Sequence, residues 1–245
     1  MIVLFTDFGF CGPYVGQMRA VLARVAPGIP VIELFNDAPA FDPLLSAYLL
    51  AAYVEEFPVG TVFLCVVDPG VGSAARKPVV VRVDGRWFVG PDNGLFEVVA
   101  RRGEQAVWHE ITWRPEKLSA TFHGRDLFAP VAAMLTQGTM VESLTMNSRP
   151  GFTGPEELTR IVYIDAYGNA MTGIRSAQVP HNTRLVIAGR NLSRVTTFAD
   201  APPGEAFWYA NANGLVEIAV NQGNAATILQ LSLGDELEIK TSSRI

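Results

Sequence analysis

The chain has 245 residues, of which 49% are hydrophobic and 18% charged, and its formal net charge is −5. This composition is too apolar for a disordered chain. The sequence contains no uninterrupted apolar run of about 18 residues, so we expect no membrane-spanning helix. Neither the first 150 residues nor the remainder is basic, which argues against a nucleic-acid partner. Because an average soluble protein has roughly 25% charged residues, the low charge content indicates buried subunit surface.

The cysteine and histidine content argues against disulfides and metal sites. The two cysteines, Cys11 and Cys65, lack CxxC spacing, and the three histidines are far apart with no HExxH motif. The N-terminus begins MIVLFTD without a basic segment, so no signal peptide is expected. We therefore expect a cytoplasmic protein without a bound metal.

Residues 1–145 alternate short apolar runs with helical patterns, which is typical of an α/β fold with a mostly parallel sheet. Asp42 and Pro43 predict a helix start, and Asp84-Gly85 joins two of the strands. The predicted strands are Met1–Phe5, Ile29–Leu34, Thr61–Val67, Val79–Val83 and Trp87–Val89. The predicted helices are Tyr14–Ala26, a helix from Pro43, Gly94–Arg102 and Phe128–Thr136.

The pattern changes after Leu144. Asn147–Pro155 is rich in Pro, Gly and Ser and indicates a linker, so we expect an N-terminal α/β sandwich domain over residues 1–147 and a second domain over residues 156–245. Short apolar runs separated by turns predict that the second domain is a small β-barrel or β-sandwich. These runs are Thr159–Ile164, Thr183–Ala188, Ala206–Tyr209, Leu215–Val220 and Glu236–Ile239, with one helical piece near Ala225–Leu229.

Two acidic motifs directly follow predicted strands, where ligands bind in open α/β sheets. The first is TDFG, in which Asp7 either binds sugar hydroxyls or caps the following helix. The second is VDPGVGSAAR, which brings Asp68 close to Arg76. The two residues either take part in the chemistry of a site or form an ion pair that stabilises the loop. Its glycines match the dinucleotide-binding fingerprint, but a strand rather than a helix follows, so we reject that interpretation.

Two further motifs carry polar residues. VGPDNGL includes Asn93 in a strong turn sequence, so its simplest interpretation is turn formation. TFHGRD places His123 between Phe122 and a glycine, ahead of a helix. A single histidine is usually structural, but here arginine and aspartate follow it within three residues.

In this order and spacing, TDFG, VVDPGVG, VGPDNGLF and TFHGRDLFAPVAA resemble the S-adenosylmethionine hydroxide adenosyltransferase family, whose members hydrolyse S-adenosylmethionine to adenosine and methionine. The resemblance continues through YIDAYGN (residues 163–169) and NANGLVEIA (residues 211–219), so it covers nearly the whole chain. It implies an N-terminal α/β domain, a C-terminal β-barrel and a homotrimer with active sites between subunits. It implies no cofactor, with S-adenosylmethionine as the substrate.

The resemblance also assigns roles to residues of this sequence. It implies that Asp68, Arg76 and His123 are the catalytic residues and that Asp7 binds the ribose. Residues from both domains match the family's other substrate contacts: Phe122, Asn93, Asp165, Tyr167, Asn169, Asn211 and Asn213.

Substrate chemistry explains these residue types. The sulfonium is already an activated leaving group, whereas water, with a pKa of about 15.7, is a poor nucleophile. Asp68 and His123 would hold and polarise a water in line with the C5′–S bond, and Arg76 would keep Asp68 ionised. Whether Asp68 or His123 takes the proton stays open.

The sequence departs from the family pattern in two places. Gly12 stands where TDFGxxDxYVG carries an aspartate that holds the methionine ammonium, for which Asp165 is the alternative. One extra residue precedes Arg76, so Lys77 is a second candidate for the catalytic cation. Two alternatives to hydrolysis stay open: halide-dependent adenosyl transfer and non-catalytic nucleoside binding. The carboxylate at Asp68 disfavours the first, since it would repel a halide.

Overall fold

The computed structural model describes residues 1–73, 75–149, 153–180 and 183–241. The chain divides into two compact units, Met1–Phe152 and Thr153–Ile245, each built on one seven-stranded sheet. The predicted linker, Asn147–Pro155, lies partly outside the described residues, and His181 lies wholly outside them. Within the described ranges, no helix is both long enough and apolar enough to cross a membrane.

The sheet of the N-terminal unit has a parallel half and an antiparallel half. In the order β2-β1-β3-β5-β4-β6-β7, strands β2, β1, β3 and β5 pair in parallel, and the remaining pairs are antiparallel. The strands are β1 (Ile2–Thr6), β2 (Val31–Phe35), β3 (Val62–Val66), β4 (Pro78–Val83), β5 (Arg86–Pro91), β6 (Ala106–Ile111) and β7 (Ser143–Thr145).

The prediction of a mostly parallel sheet therefore holds for β2, β1, β3 and β5 but not for the other half of the sheet. Asp84 and Gly85 both have positive φ, 48° and 79°, and form a two-residue turn between β4 and β5. A two-residue turn can join only antiparallel strands. Strands β6 and β7, which the sequence pattern did not predict, extend this antiparallel half.

Four helices pack on this sheet: α1 (Tyr14–Val25), α2 (Pro43–Tyr53), α3 (Glu97–Arg102) and α4 (Ala129–Thr136). The Asp42 side chain caps α2 by accepting a hydrogen bond from the Leu45 backbone N–H at 2.9 Å. A π-helical turn, Gly124–Phe128, precedes α4, so the chain coils earlier than predicted. The core on one face of the sheet includes Ile2, Leu4, Leu64, Met18, Leu22, Phe128 and Val131.

The C-terminal unit is a curled sheet in the order β14-β10-β11-β12-β13-β9-β8. A bridge between Arg160 and Glu236 brings β8 against the segment just before β14. The pattern did not predict β9 or β11, since β11 is largely polar. The elements are β8 (Leu158–Ile164), β9 (Ala170–Arg175), β10 (Thr183–Ile187), β11 (Arg190–Arg194), β12 (Ala206–Ala210), β13 (Leu215–Val220), β14 (Glu238–Thr241) and α5 (Ala225–Leu229).

The topology of the N-terminal unit places three motifs together. Strands β1, β3 and β5 are neighbours and run in parallel, so their carboxyl ends meet at one edge of the sheet. Asp7 follows β1, Asp68 follows β3 and Asn93 follows β5. This edge is where open α/β sheets bind ligands.

Candidate active site

Asp68 and Arg76 form a buried ion pair in the loop after β3. Arg76 Nε lies 2.9 Å from Asp68 Oδ1, and the two side chains are only 7% and 4% exposed. The Arg76 Nε–H points instead at the Gly70 carbonyl oxygen, 3.5 Å away, so the ion pair lacks an aligned hydrogen bond. Among the described residues, neither carboxylate oxygen of Asp68 nor Arg76 Nη1 has a hydrogen-bond partner. The Gly70 backbone N–H is close enough to lower the pKa of Asp68, but no aligned hydrogen bond saturates these buried atoms, so they have capacity for a ligand.

His123 contacts the other side of the same guanidinium. Arg76 Nη2 lies 3.0 Å from His123 Nδ1. Burial lowers the pKa of His123, as do the nearby charges of Arg76 and Arg114, while Asp126 opposes this effect. The ring is therefore neutral at neutral pH.

A glycine allows the loop of Asp68 and Arg76 to approach the segment before His123. Gly72 has φ +84°, and a Cβ on it would lie 2.7 Å from the Ala120 carbonyl oxygen. Any other residue here would clash with the backbone that leads into His123. Gly72 therefore lets the Asp68–Arg76 loop and the His123 segment share one site.

Asp7 stands beside Asp68 at the end of the neighbouring strand. Its Oδ2 accepts a hydrogen bond from the Phe41 backbone N–H at 3.1 Å. Burial raises the pKa of Asp7, and this hydrogen bond partly offsets the rise. Burial likewise raises the pKa of Asp68, Arg76 opposes that rise, and the negative charge of Asp7 adds to it.

A cavity of about 340 Å³ opens over these residues. Phe8, Tyr14 and Phe122 form an aromatic wall, with ring centroids 5.4 to 5.9 Å apart. Phe41, 77% exposed and with φ 60°, also lines the cavity. The lining residues are Asp7, Phe8, Tyr14, Phe41, Val66, Asp68, Val71, Thr121, Phe122, His123 and Gly124.

Sequence reasoning identified four of these lining residues: Asp7, Asp68, Phe122 and His123. It missed Phe41 as a site residue. The only signal for it is an aromatic residue in the APAFDP turn directly before the α2 cap.

Lys77 and Asn93 are both engaged elsewhere. Lys77 Nζ pairs with Glu110 at 2.6 Å, whereas Arg76 pairs with Asp68, so the geometry favours Arg76 as the cation of the site. Asn93 Nδ2 donates to the Val67 carbonyl at 2.8 Å, and its Oδ1 accepts from the Leu95 N–H at 3.3 Å. Asn93 thus binds backbone, and it is not one of the residues that line the cavity.

The backbone at Gly12 adopts a conformation that favours glycine. Gly12 has φ +120°, which L-residues rarely adopt. An aspartate at this position would therefore require a different loop. The neighbouring Phe10 and Cys11 are exposed.

A second group of predicted residues lies in the C-terminal unit, on a cavity of about 650 Å³. Asp165 Oδ1 accepts hydrogen bonds from the backbone N–H groups of Tyr167 and Asn169, both at 2.9 Å, and Oδ2 accepts one from Asn169 Nδ2 at 3.1 Å. Asp165 thus organises its own turn. The lining residues are Asp165, Tyr167, Asn169, Phe198, Tyr209, Glu217, Val220, Gln222, Gly223 and Asn224.

Glu217 is a buried carboxylate in this cavity, and sequence reasoning did not single it out. It is 3% exposed and accepts hydrogen bonds from the Tyr209 hydroxyl and from Asn211 Nδ2. Burial raises the pKa of Glu217, and both donors oppose the rise. Asn211 Oδ1 accepts from the N–H groups of Asn213 and Leu215. Asn211 and Asn213 therefore shape a turn instead of lining the cavity. One glutamate in the otherwise apolar run LVEIAV was the available signal.

The His, Cys, Asp and Glu side chains of the described ranges include no group of three or more placed to hold a metal ion.

Comparison with known proteins identifies relatives along both units. The family model described as the SAM hydroxide adenosyltransferase N-terminal domain matches residues 2–145, and the model of the corresponding C-terminal domain matches residues 159–238. Two proteins named (R)-S-adenosyl-L-methionine hydrolase, from Salinispora arenicola and Thermus thermophilus, are 36% and 37% identical to this chain. These matches cover 96% and 95% of this chain and 95% and 96% of the relatives.

The fold is also similar to that of a solved structure. A crystal structure of an uncharacterized conserved protein from Thermotoga maritima superposes with a TM-score of 0.87 and 33% identity, covering 98% of this chain and 99% of that one. A more distant relative, a protein from Nocardia brasiliensis named fluorinase, is 23% identical over 98% of this chain and 96% of its own length.

Proposed function

Because the chain belongs to the S-adenosylmethionine hydroxide adenosyltransferase family, we propose that it hydrolyses S-adenosylmethionine to adenosine and methionine. One observation carries the proposed mechanism. The buried Asp68 carboxylate has no hydrogen-bond partner among the described residues, and it faces the same cavity as His123 and Asp7. That arrangement fits a water held beside a bound nucleoside.

The cavity fits the adenosyl part of the substrate. The Asp7 carboxylate, at the end of β1, would accept hydrogen bonds from the ribose hydroxyls. The wall of Phe8, Tyr14 and Phe122 would cover the apolar faces and attract the positive sulfonium. The named hydrolases act on the (R) sulfonium epimer, and we propose the same epimer here.

The contacts of His123 support Asp68 as the proton acceptor. A guanidinium donates hydrogen bonds and cannot accept them, so His123 Nδ1 must accept from Arg76. A neutral imidazole that accepts at Nδ1 carries its proton on Nε2. His123 is therefore a hydrogen-bond donor to the water or its developing hydroxide, and Asp68 is the base.

The reaction then follows as one displacement. The water oxygen attacks C5′, the C5′–S bond breaks, and its electron pair goes to sulfur, which leaves as the neutral thioether of methionine. The water proton passes to the Asp68 carboxylate and from there to solvent. Arg76 stabilises the Asp68 charge before transfer, and the fixed position of the water supplies much of the rate.

The methionine end differs from the family pattern at Gly12. We propose that Asp165 binds the substrate ammonium, because its Oδ2 accepts only one hydrogen bond among the described residues and can accept another. Tyr167 and Asn169, which line the cavity of the C-terminal unit, are proposed substrate contacts. The Asn211–Gly214 turn is a further proposed contact, since Asn211 reaches the cavity residue Glu217.

We further propose that the curled C-terminal sheet is the family's β-barrel and that the protein is a cytoplasmic homotrimer with active sites between subunits. We propose that it needs no cofactor, because the sulfonium brings its own leaving group. Neither nucleic acid nor a membrane is a proposed partner, since neither half of the chain is basic.

The test is incubation of the purified protein with S-adenosylmethionine that contains both sulfonium epimers, with chloride and fluoride present in separate reactions. Chromatography resolves the products, and NMR follows each epimer. Adenosine and methionine formed from the (R) epimer support the proposal. A 5′-halo-adenosine would indicate halide-dependent transfer, and tight binding without turnover would indicate a nucleoside-binding module.

A further inference from the structure

We propose that the Asp92–Asn93 turn positions the Asp68–Arg76 pair and that Arg149 fixes this turn in place. The inference rests on the proposed function, because the pair is taken to be catalytic. It gives Asn93 a different role from substrate contact. Asn93 acts through Asp68 as a positioning residue.

One short turn holds both ends of the catalytic loop. Asn93 Nδ2 donates to the carbonyl of Val67, the residue just before Asp68, at 2.8 Å. The backbone N–H of Asp92 donates to the carbonyl of Lys77, the residue just after Arg76, also at 2.8 Å. The Leu95 N–H donates to Asn93 Oδ1 and so fixes the amide orientation.

Arg149 holds this turn from the segment after β7. Its Nη2 donates to the Asp92 carboxylate and to Glu97 Oε1, the latter at 2.6 Å, and its side chain is 13% exposed. The guanidinium carbon lies 3.2 Å from the centroid of the Trp108 ring. Two ion pairs and a stacked ring leave the guanidinium little freedom.

The backbone contacts matter because the Asp68 side chain has no aligned hydrogen bond to locate it. Among the described residues, its oxygens have the unaligned ion pair with Arg76 and the nearby Gly70 backbone N–H, which belongs to the same loop. The position of the carboxylate therefore depends on the loop ends at Val67 and Lys77. A displacement of about 1 Å in a reacting group can reduce a rate by roughly 100-fold.

The direct test is Asn93→Asp, which keeps the side-chain shape but removes the donor to Val67. The matched control is Gln137→Glu, because Gln137 Nε2 also donates to a backbone carbonyl, that of Val25 at 2.9 Å, in the same unit. We expect kcat of Asn93→Asp to fall by about 10- to 100-fold with little change in KM. The control keeps the wild-type kcat.

A second readout separates positioning from a purely structural role. When Asp68 moves away from Arg76, its pKa rises, so the acid limb of the kcat/KM profile moves to higher pH in Asn93→Ala, which removes the donor without the added charge of Asn93→Asp. The pKa of the Asp68 carboxyl, measured by ¹³C NMR titration, rises in parallel. This measurement requires no turnover.

Arg149→Lys keeps the positive charge but loses the guanidinium contacts with Asp92 and Glu97 and the stacking on Trp108. It shifts the kcat/KM profile in the same direction.

Wild-type kcat and pH profile in the Asn93 and Arg149 variants would overturn the inference, as would a change confined to KM. If Asn93→Asp does not fold, Arg149→Lys decides by the same readouts. Failure of the proposed function is a separate result, because the wild-type protein itself would then form no adenosine. The NMR titration would still test whether the turn positions Asp68.

Discussion

Arg76 Nη2 lies 3.0 Å from His123 Nδ1, and this contact determines how the histidine can act. Because the guanidinium must donate, the neutral ring carries its proton on Nε2. The same guanidinium lies beside the Asp68 carboxylate. One arginine thus influences both the ionisation of Asp68, the proposed base, and the tautomer of His123, the proposed donor.

If His123 is a donor, a glutamine should partly replace it. Gln offers an N–H near the position of Nε2 but cannot act as a base at neutral pH. We expect His123→Gln to retain more activity than His123→Ala, which should lose about 100- to 1,000-fold in kcat. Steady-state kinetics of the two variants measures this difference. Equal losses in both would contradict the donor role.

Asp68→Asn removes the proposed base with little change in shape. We expect kcat to fall by about 100- to 10,000-fold, while adenosine binding, through Asp7, stays close to that of the wild type. Single-turnover kinetics and calorimetry with adenosine measure the two effects. Wild-type turnover in Asp68→Asn would remove Asp68 from the mechanism.

The pH dependence follows from the direction of the Asp68 shift. Burial raises the pKa of Asp68, and Arg76 opposes the rise. Because the carboxylate form is the active one, kcat/KM should increase as pH rises through this raised pKa and then level off. The lowered pKa of His123 favours the neutral ring near neutral pH.

The contribution of Asp68 to the free energy of unfolding falls as pH rises, whereas kcat/KM increases. A carboxyl whose pKa is raised by folding stabilises the fold at low pH, and this contribution is lost as pH rises through the folded-state pKa.

Arg76→Met should move the acid limb of kcat/KM to higher pH, because Arg76 opposes the rise in the pKa of Asp68. A limb that moves to lower pH would show that another group controls it.

Gly12 and Gly16 form a matched pair for testing the loop conformation. Gly12 has φ +120°, whereas Gly16 lies within α1, and a methyl group added to it would meet no atom within 4 Å. We expect Gly12→Ala to reduce the free energy of unfolding by about 1 kcal/mol. Gly16→Ala should increase it by about 0.5–1 kcal/mol. Denaturant unfolding measures both, and equal effects would contradict the conformation at Gly12.

The sequence predicted that two aspartates follow neighbouring strands. Asp7 and Asp68 follow continuous apolar runs that could only be buried strands, so their placement at one edge of a sheet was predictable. The antiparallel half was missed, although Asp84-Gly85 was recognised as the connection between two strands. Its positive φ angles, which make it a tight hairpin, depend on the fold.

Other parts of the site depend on three-dimensional contacts that no local pattern encodes. Whether Asn93 contacts substrate or backbone is decided by its distance to Val67, 26 positions earlier in the chain. The tautomer of His123 depends on Arg76, 47 positions away. Arg149 reaches Asp92 from the segment predicted to be a linker.

Hydrolysis in ¹⁸O-labelled water tests most directly whether water attacks C5′ of S-adenosylmethionine. Mass spectrometry of the products locates the oxygen. The mechanism predicts one ¹⁸O in the 5′-hydroxyl of adenosine and none in methionine. Adenosine without the label, or a 5′-halo-adenosine in place of adenosine, would contradict it.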